Sequence, residues 1–292
     1  MELRRYGNSD VMLPVLGFGA GLIGDGAMDE NYAGYFLNQI VDRGVTFIDT
    51  ARGYGLSEER VGRHLSWRRN DYILSTKVGY GIPGHQDWTY DCIIAGVHEA
   101  LRRMRTDHID IVHLHSCPLE TLERGEVTDA LERCVRDGKV RVAAYSGENE
   151  ALQFAHASGR FGGLMSSVNI FDQRSISAVV TPAAKNGTGY IAKRPIGNAP
   201  WRFAQLPLGD YCEEYWKRMK AMQLDFGDAW LPTALRFTAY TAGITSCIVG
   251  TTNLEHLQRN IDSVRLGPLP DTLVNSLRTA FAAHDHHWTG QI

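Results

Sequence analysis

Short runs of β-branched and other apolar residues alternate along the chain with longer segments whose apolar positions recur every three or four residues. The short runs are typical of buried strands, and the longer period is typical of helices that bury one face. Residues 33–41, for example, carry one apolar stripe, and Gly44 supplies a helix stop just after it. Eight strands are predicted in this way, at residues 16–20, 46–51, 72–78, 109–115, 140–146, 167–170, 189–195 and 247–251.

The order of these elements predicts the architecture. Nearly every strand is followed by a helical segment, and strands joined through helices pair in parallel. Eight such units within about 250 residues are typical of an α/β fold of the (β/α)8 TIM-barrel type. No linker or low-complexity stretch divides the chain, so a single barrel domain over residues 1–292 is expected. Residues 196–245 are too long for one crossover and are predicted to form a long loop and two helices.

The segment GAGLIG suggests a second architecture, because Gly19, Gly21 and Gly24 fit the G-x-G-x-x-G pattern of dinucleotide-binding Rossmann folds. In that pattern the last glycine opens a helix whose N-terminus faces the pyrophosphate. Here the helical period begins only near Asp29 or Glu30. A chain with 30 glycines matches so short a pattern easily by chance. The barrel is therefore favoured over the Rossmann fold.

The composition excludes several classes of protein. Hydrophobic residues make up 43% of the chain and charged residues 22%, as in an ordinary globular protein. A net charge of −3 gives no reason to expect nucleic acid or an anionic membrane as a partner. The first residues lack an apolar signal region and no stretch approaches the length of a membrane span. The five scattered cysteines predict reduced thiols in the cytoplasm rather than disulfides or a zinc site. A monomer is the default expectation.

Polar side chains end three successive predicted strands, where a barrel carries its chemistry. Asp49 ends the second strand and Tyr54 lies on the following loop, Lys77 ends the third strand, and His115 ends the fourth. Singly, each has a simpler explanation: Asp49 as a helix cap or part of a stabilising ion pair, Lys77 as a solvated strand end, the glycines around Tyr54 as a turn. His113 shares a strand face with His115 and is expected to fill the barrel interior. Because all four side chains stand at or just after successive strand ends, together they predict an active site.

These four side chains are suited to transferring a proton to an oxygen atom of a substrate. A free tyrosine titrates at about pH 10, and a neighbouring ammonium favours the phenolate and brings the phenol into a useful range. An aspartate keeps the lysine charged, and a neutral histidine can donate a hydrogen bond to a carbonyl oxygen. No good nucleophile or metal-ligand cluster accompanies them, so a hydride would have to come from a cofactor. The segment HDHHW at residues 284–288 lacks ligand spacing and is interpreted as a solvated tail, with no metal expected.

Four segments resemble the aldo-keto reductase family, and the resemblance extends along nearly the whole chain. They are DTARGYGLSEERVG (49–62), STKVG (75–79), ALRRMRTDHIDIVHLHSCP (100–118) and ALRFTAYTAGITSCIVGTTNLEHLQRN (234–260). The resemblance implies Tyr54 as proton donor, Lys77 and Asp49 as the pair that tunes it, and His115 as the residue that orients the carbonyl. It also implies reversible NAD(P)H-dependent reduction of aldehydes, ketones or sugar-type carbonyls. The alternative is a nucleotide-binding regulatory or sensor protein with little turnover.

The resemblance further implies a cofactor site. Ser146 would hold the nicotinamide carboxamide, and Gly250 and His256 stand where members specific for NADPH often carry a lysine and an arginine. The resemblance implies NADPH as the most common cofactor of the family, whereas the absence of these two cations predicts only a modest preference for it over NADH, which is also accepted. The predicted cofactor-binding residues are Gly19, Asp49, Ser146, Lys193, Arg194, Gly250, Thr251, Thr252, His256 and Asn260.

The chain departs from the family pattern at three places. Gly147 replaces an asparagine, and the glutamine of the sixth strand falls near Met165 or Ser166. Lys193 stands where an aromatic residue often stacks on the nicotinamide, and Arg194 follows it. These two cations could bind the cofactor pyrophosphate or an acidic substrate, or could belong to a solvated strand end.

A small carbonyl compound is the expected substrate, held by loops at the rim of the barrel. The loops at residues 21–25, 79–90 and 198–208 are predicted to wall its pocket. Their apolar and aromatic residues suggest an apolar rim made by Leu22, Tyr80, Trp88 and Trp201, with Phe203 nearby.

Overall fold

The central element of the chain is a closed barrel of eight parallel strands. A computed structural model describes residues 1–291, so Ile292, the last residue of the expected domain, lies outside the described residues. The strands are β1 (Leu3–Arg5), β2 (Met12–Pro14), β3 (Leu16–Gly19), β4 (Phe47–Asp49), β5 (Ile73–Val78), β6 (Ile109–His115), β7 (Val140–Ser146), β8 (Gly163–Ser167), β9 (Gly189–Lys193) and β10 (Ser246–Val249). Strands β3 to β10 follow one another around the barrel in chain order, and β10 pairs with β3 to close it. The predicted (β/α)8 barrel is confirmed.

Helices surround the barrel and connect its strands. They are α1 (Glu30–Asp42), α2 (Ser57–Leu65), α3 (Tyr90–Met104), α4 (Leu119–Arg124), α5 (Glu126–Arg136), α6 (Asn149–Ala157), α7 (Thr181–Lys185), α8 (Glu213–Ala221), α9 (Trp230–Ala239), α10 (Leu254–Arg265) and α11 (Asp271–His284). Helix α1 begins where the pattern predicts, because the Asp29 side chain accepts a hydrogen bond from the Tyr32 amide at 2.8 Å and so caps the first turn. Residues 196–245 contain a long loop followed by α8 and α9, as predicted.

The core has two layers. The larger layer lies between the strands and the helices, and a smaller one fills the barrel interior with side chains that include Phe47, Ile111 and Ile191. Each such side chain contributes about 1.5–3 kcal/mol when it is fully buried. An antiparallel hairpin of β1 and β2, which the sequence analysis did not predict, closes the amino-terminal end of the barrel and adds Tyr6 and Leu13 to the inner layer. The carboxyl ends of the strands are thereby the end available for chemistry.

The sixth barrel strand differs from its prediction. Residues 167–170 were expected to form it, whereas β8 covers Gly163–Ser167 and the chain then turns, with a bridge between Asn169 and Asp172. The prediction is wrong because Val168 and Ile170 are buried as strand residues would be, but against the outer helices. Gly163 belongs in the strand because a side chain there would collide with the Tyr6 phenol.

The remaining strand predictions are correct to within two residues at each end. The segment GAGLIG follows β3 as a short 3₁₀ helix at Ala20–Gly24 instead of opening a long helix. Its place inside a closed barrel rules out the Rossmann alternative. All five cysteines are buried and unpaired by disulfides.

Two further observations bear on membranes and metals. None of the helices within residues 1–291 combines the length and the apolar composition that a membrane crossing requires. In the same part of the chain, no three His, Cys, Asp or Glu side chains come together as ligands for a metal ion.

Candidate active site

A buried ion pair joins the carboxyl ends of β4 and β5. Lys77 Nζ lies 2.6 Å from Asp49 Oδ2, and it also donates to the Thr50 carbonyl at 2.8 Å. The second carboxylate oxygen, Oδ1 of Asp49, accepts a hydrogen bond from the Ser75 hydroxyl at 2.9 Å. Burial alone would lower the pKa of Lys77, but the Asp49 carboxylate outweighs it and holds the pKa above its usual value. Lys77 is therefore a buried cation and not a solvated strand end.

Tyr54 lies beside this ion pair, on the tight turn that follows β4. Its amide donates to the Ala51 carbonyl at 3.0 Å, and its carbonyl accepts from the Ser57 amide at 3.0 Å, so the turn is fixed at both sides. The Lys77 ammonium lies 4.9 Å from the centre of the tyrosine ring. The structure thus brings the predicted phenol, ammonium and carboxylate together at neighbouring strand ends.

His115 completes the group at the end of β6. Its ring meets the Tyr54 ring edge-on, with the ring centres 5.9 Å apart, and its Nδ1 lies 2.8 Å from the hydroxyl of Tyr80. Burial, together with the positive charges of Lys77 and Lys193, lowers the pKa of His115 to about 3. The imidazole is therefore neutral near pH 7 and able to donate one hydrogen bond.

His113, two residues earlier on the same strand, is fully buried. Its Nδ1 lies 3.3 Å from the Ser75 hydroxyl and 3.4 Å from the Thr76 carbonyl. Burial lowers its pKa well below the usual value for a histidine. It fills the barrel interior as expected.

The low pKa of His115 predicts that its ring will not titrate between pH 8 and pH 5. The signals of most exposed histidines change in that range, because their pKa values lie at about 6.5. ¹H–¹⁵N NMR of the imidazole rings over this range would measure the effect, with the His115 signals identified by their loss in His115→Asn. A titration midpoint for His115 between pH 5 and pH 8 would contradict the prediction.

A cleft of about 700 Å³ opens beside the Asp49 and Tyr54 side chains. It is shaped by the loops that follow β3, β9 and β10. Eight of the ten predicted cofactor residues line it: Gly19, Asp49, Lys193, Arg194, Gly250, Thr251, His256 and Asn260. The size of the cleft lies within the range of ordinary ligand and cofactor pockets.

Ser146 and Thr252 are the two predicted cofactor residues that do not line this cleft. Ser146 pairs with His115 across β6 and β7, and its buried hydroxyl has no hydrogen-bond partner among residues 1–291. A buried hydroxyl in this state is suited to a ligand that supplies the missing partner, as an amide would. The carbonyl of Thr252 accepts a hydrogen bond from the Tyr32 hydroxyl at 2.7 Å.

Lys193 and Arg194 bring positive charge to the cleft. Lys193 Nζ lies 3.3 Å from a carboxylate oxygen of Glu148, which also accepts from the Ser167 amide at 2.8 Å. Burial lowers the pKa of Lys193, and the Glu148 carboxylate opposes that shift. Arg194 lies over the ring of Tyr211, 5.1 Å from its centre, and donates to the carbonyl of Gln291. The pair is not a solvated strand end, and its charge suits an anionic ligand group.

The amino terminus of α10 borders the cleft near Thr251. Asn253 caps the helix, since its side-chain oxygen accepts from the amides of Glu255 at 2.7 Å and His256 at 3.3 Å. Two of the amides that a phosphate would otherwise find free at a helix start are therefore already engaged.

The predicted substrate residues are dispersed. Leu22 lines the cleft and is 54% exposed, so an apolar side chain does stand at its rim. Trp88 packs edge-on against Tyr80, with ring centres 5.9 Å apart, and Trp201 stacks on Trp230 at 5.1 Å. Tyr80 itself contacts His115.

The positions that depart from the family pattern are apolar or internally bonded. Met165 is buried in the barrel interior, and the Ser166 hydroxyl bonds to the Tyr190 hydroxyl at 2.5 Å. Neither offers an amide to the cleft. Glu148, which the sequence analysis missed, is a polar residue just past the end of β7, so the strand-end rule that found Asp49 and Lys77 would have found it too.

The chain thus combines a (β/α)8 barrel with a cluster of Asp49, Lys77, Tyr54 and His115 beside a cleft of about 700 Å³. Sequence comparison identifies the family: the model of the Aldo/keto reductase family matches residues 15–281, so the chain belongs to that family. The family consists of oxidoreductases that use nicotinamide cofactors, generally NADPH.

Individual relatives resemble the chain over most of its length. It is 27% identical to the uncharacterized oxidoreductase YqkF of Bacillus subtilis, with 96% of each chain covered. It is 26% identical to D-threo-aldose 1-dehydrogenase of a Pseudomonas species, over 87% of this chain and 90% of that protein. The holo form of aldo-keto reductase AKR11C1 from Bacillus halodurans has the same fold, with a TM-score of 0.82, 24% identity and coverage of 98% of this chain and 99% of that one.

Proposed function

We propose that this protein reduces aldehydes, ketones or sugar-type carbonyls to alcohols, reversibly and with NAD(P)H, and that Tyr54 is the proton donor. The observation that carries the proposal is the assembly of Asp49, Lys77, Tyr54 and His115 at neighbouring strand ends, beside a cleft that is large enough for a nucleotide. A protein that only binds a nucleotide has no chemical need for this complete set.

Each side chain has a distinct task in the proposed reaction. Nicotinamide, when bound, supplies the hydride. The Tyr54 hydroxyl gives its proton to the carbonyl oxygen, and the Lys77 charge stabilises the phenolate that remains. Asp49 holds Lys77 charged and in place. Neutral His115 donates a hydrogen bond to the same oxygen and so stabilises the negative charge that develops on it.

Ser146 and two cations of the cleft support a role in binding the cofactor. We infer that the free hydroxyl of Ser146 bonds to the nicotinamide carboxamide and that Arg194 faces a phosphate of the cofactor. The Arg194 guanidinium lines the cleft and is a strong donor to phosphate oxygens. Lys193, held by Glu148, would face the same ligand or an acidic group of the substrate.

The loss of cofactor absorbance in the presence of a panel of generic aldehydes tests the proposed activity. Aldoses belong in the panel because a relative is a D-threo-aldose 1-dehydrogenase, and they should be assayed with the oxidised cofactor as well. Turnover on at least one compound is expected. Tight cofactor binding without turnover on any compound would favour the alternative, a regulatory or sensor protein.

We expect a modest preference for NADPH over NADH. Fixed cations best distinguish NADPH, which carries a dianionic 2′-phosphate, from NADH, which lacks it. The reason is that charge-assisted hydrogen bonds are about twice as strong as neutral ones. The segment expected to bind the adenosine end offers the hydroxyls of Thr251 and Thr252 and the ring of His256, while Asn253 engages two amides at the start of α10. Neither a lysine nor an arginine stands at position 250 or 256.

The ratio of kcat/KM for the two cofactors, measured with one aldehyde, decides this prediction. A preference of more than about a thousandfold, or roughly 4 kcal/mol of discrimination, would contradict it. Such a result would point to a cation other than positions 250 and 256 that reaches the phosphate, and Arg259→Gln in α10 would then be the first variant to compare.

A further inference from the structure

Tyr80 contacts one of the two ring nitrogens of His115 and leaves the other one free of this contact. The two rings of Tyr80 and His115 stack, with centres 5.6 Å apart and planes inclined by 24°. The phenol oxygen lies 2.8 Å from Nδ1 of the imidazole. Within residues 1–291, this contact is the one hydrogen bond of the His115 ring and also the one hydrogen bond of the Tyr80 hydroxyl.

A neutral imidazole carries a single N–H, so the contact with Tyr80 has a consequence for the other ring nitrogen. If the phenol donates its proton to Nδ1, the N–H of His115 must be on Nε2. Burial raises the pKa of Tyr80, so this phenol keeps its proton near pH 7, and the low pKa of His115 excludes the doubly protonated ring. Within residues 1–291, Nδ1 is the one acceptor within hydrogen-bonding distance of the phenol O–H, and this favours donation from the phenol to the ring over the reverse direction.

The position of that proton decides what His115 can do. With the N–H on Nε2, the ring can donate a hydrogen bond to a carbonyl oxygen near Tyr54. With the N–H on Nδ1, Nε2 presents a lone pair and repels the same oxygen. We propose that Tyr80 is a positioning residue that holds His115 in the tautomer with the proton on Nε2, the form needed to polarise the substrate carbonyl. This inference rests on the proposed reductase function for its catalytic meaning.

The loop around Tyr80 is built to hold the phenol in this place. The carbonyl of Gly81 accepts two hydrogen bonds from the Arg52 guanidinium, at 2.9 and 2.6 Å, and the Gly81 amide donates to Asp87 at 2.8 Å. Trp88 packs against the Tyr80 ring and its amide donates to the Gly79 carbonyl at 2.8 Å.

Gly53 leaves space for the Tyr80 hydroxyl. A Cβ atom at that position would lie 2.9 Å from the phenol oxygen, so a larger residue there would force the phenol to shift. The glycine that precedes Tyr54 thus has a role in the placement of Tyr80.

Tyr80→Phe tests the proposal because it keeps the stacked ring and removes only the hydroxyl. Ring ¹⁵N NMR distinguishes the protonated nitrogen of an imidazole from the unprotonated one, and His115→Asn identifies the signals. In the wild-type chain, with and without NADP⁺, we expect a protonated Nε2 and an unprotonated Nδ1. In Tyr80→Phe both signals should move toward each other as the second tautomer becomes populated.

The same variant should lower kcat by about tenfold, the low end of the loss seen when the partner that orients an imidazole is removed from a metal site. The cofactor Kd should stay unchanged. Tyr35→Phe is the matched control, because it removes the hydroxyl of a 54% exposed tyrosine of α1 outside the cleft. It should keep the wild-type ¹⁵N pattern and kcat, whereas a purely structural role of Tyr80 predicts a less stable Tyr80→Phe variant with an unchanged ¹⁵N pattern.

A wild-type His115 that carries its proton on Nδ1 would overturn the proposal, and so would a ¹⁵N pattern that does not change in Tyr80→Phe. These outcomes are separate from failure of the proposed function. Absence of turnover on every carbonyl would refute the reductase, while the NMR measurement would still report the tautomer. Turnover together with the wrong tautomer would refute the role of Tyr80 alone.

Discussion

Tyr54→Phe is expected to lower kcat by at least about two to three orders of magnitude, the usual scale for the loss of a positioned general acid. The variant keeps the ring, so the edge-on contact with His115 and the approach of the Lys77 ammonium remain. It removes the only part of the side chain that can give a proton to the carbonyl oxygen. Steady-state kinetics with the best aldehyde of the panel would measure the loss.

Cofactor affinity separates this effect from a general disturbance of the cleft. The Kd of NADPH, measured by fluorescence titration, should be nearly the same in Tyr54→Phe and in the wild-type protein, because the phenol is assigned to the substrate oxygen. Tyr35→Phe is a suitable control, since Tyr35 is a 54% exposed residue of α1 outside the cleft. Wild-type turnover in Tyr54→Phe would show that another group donates the proton.

Lys77→Met is expected to destabilise the fold by about 3–5 kcal/mol, which is the cost of breaking a buried ion pair on one side. Asp49 is 1% exposed and, among residues 1–291, would keep only the Ser75 hydroxyl as a hydrogen-bonding side-chain partner. The carboxylate would then lie in the barrel rim without a cation to balance it. Urea denaturation, followed by circular dichroism, would show a lower midpoint with an unchanged slope. Turnover should fall as well, because the charge beside Tyr54 is lost.

The double variant Lys77→Met/Asp49→Asn provides the comparison for this prediction. It removes the unbalanced carboxylate together with the lysine, so part of the lost stability should return even though activity does not. If the single variant lost less than about 1 kcal/mol, or if the double variant were less stable than the single one, the ion pair would have a smaller role than its geometry indicates.

The barrel could be predicted from the sequence because its strands have the composition of buried parallel strands. The run IDIVHLHS is an example: it carries apolar residues on both faces, three of them β-branched, and it forms β6 over the predicted residues. The strand β8 was misplaced because Gly163 and the two serines at positions 166 and 167 weaken its pattern. The hairpin of β1 and β2 was missed because three-residue strands are too short to show a period.

The site was predictable only where one rule applied. Polar residues at the carboxyl ends of successive strands converge in a parallel barrel, and this rule predicts that Asp49, Lys77 and His115 lie close together. Contacts between loops follow no such rule. The stacking of Tyr80 on His115 and the pairing of Lys193 with Glu148 depend on how loops of different lengths fold back over the rim. Their residues can be named from the sequence, but their partners cannot.

The pairing of the last barrel strand with the first has a consequence for synthesis. Cys247 of β10 pairs with Leu16 of β3, so the two edges that seal the barrel lie about 230 residues apart in the chain. At about 5–20 residues per second, the ribosome needs roughly 10–50 s to make the intervening segment. During that time one edge of β3 has no native partner, and an unpaired edge is a template for pairing with other chains. A nascent chain of this protein therefore exposes an open sheet edge for tens of seconds before its barrel can close.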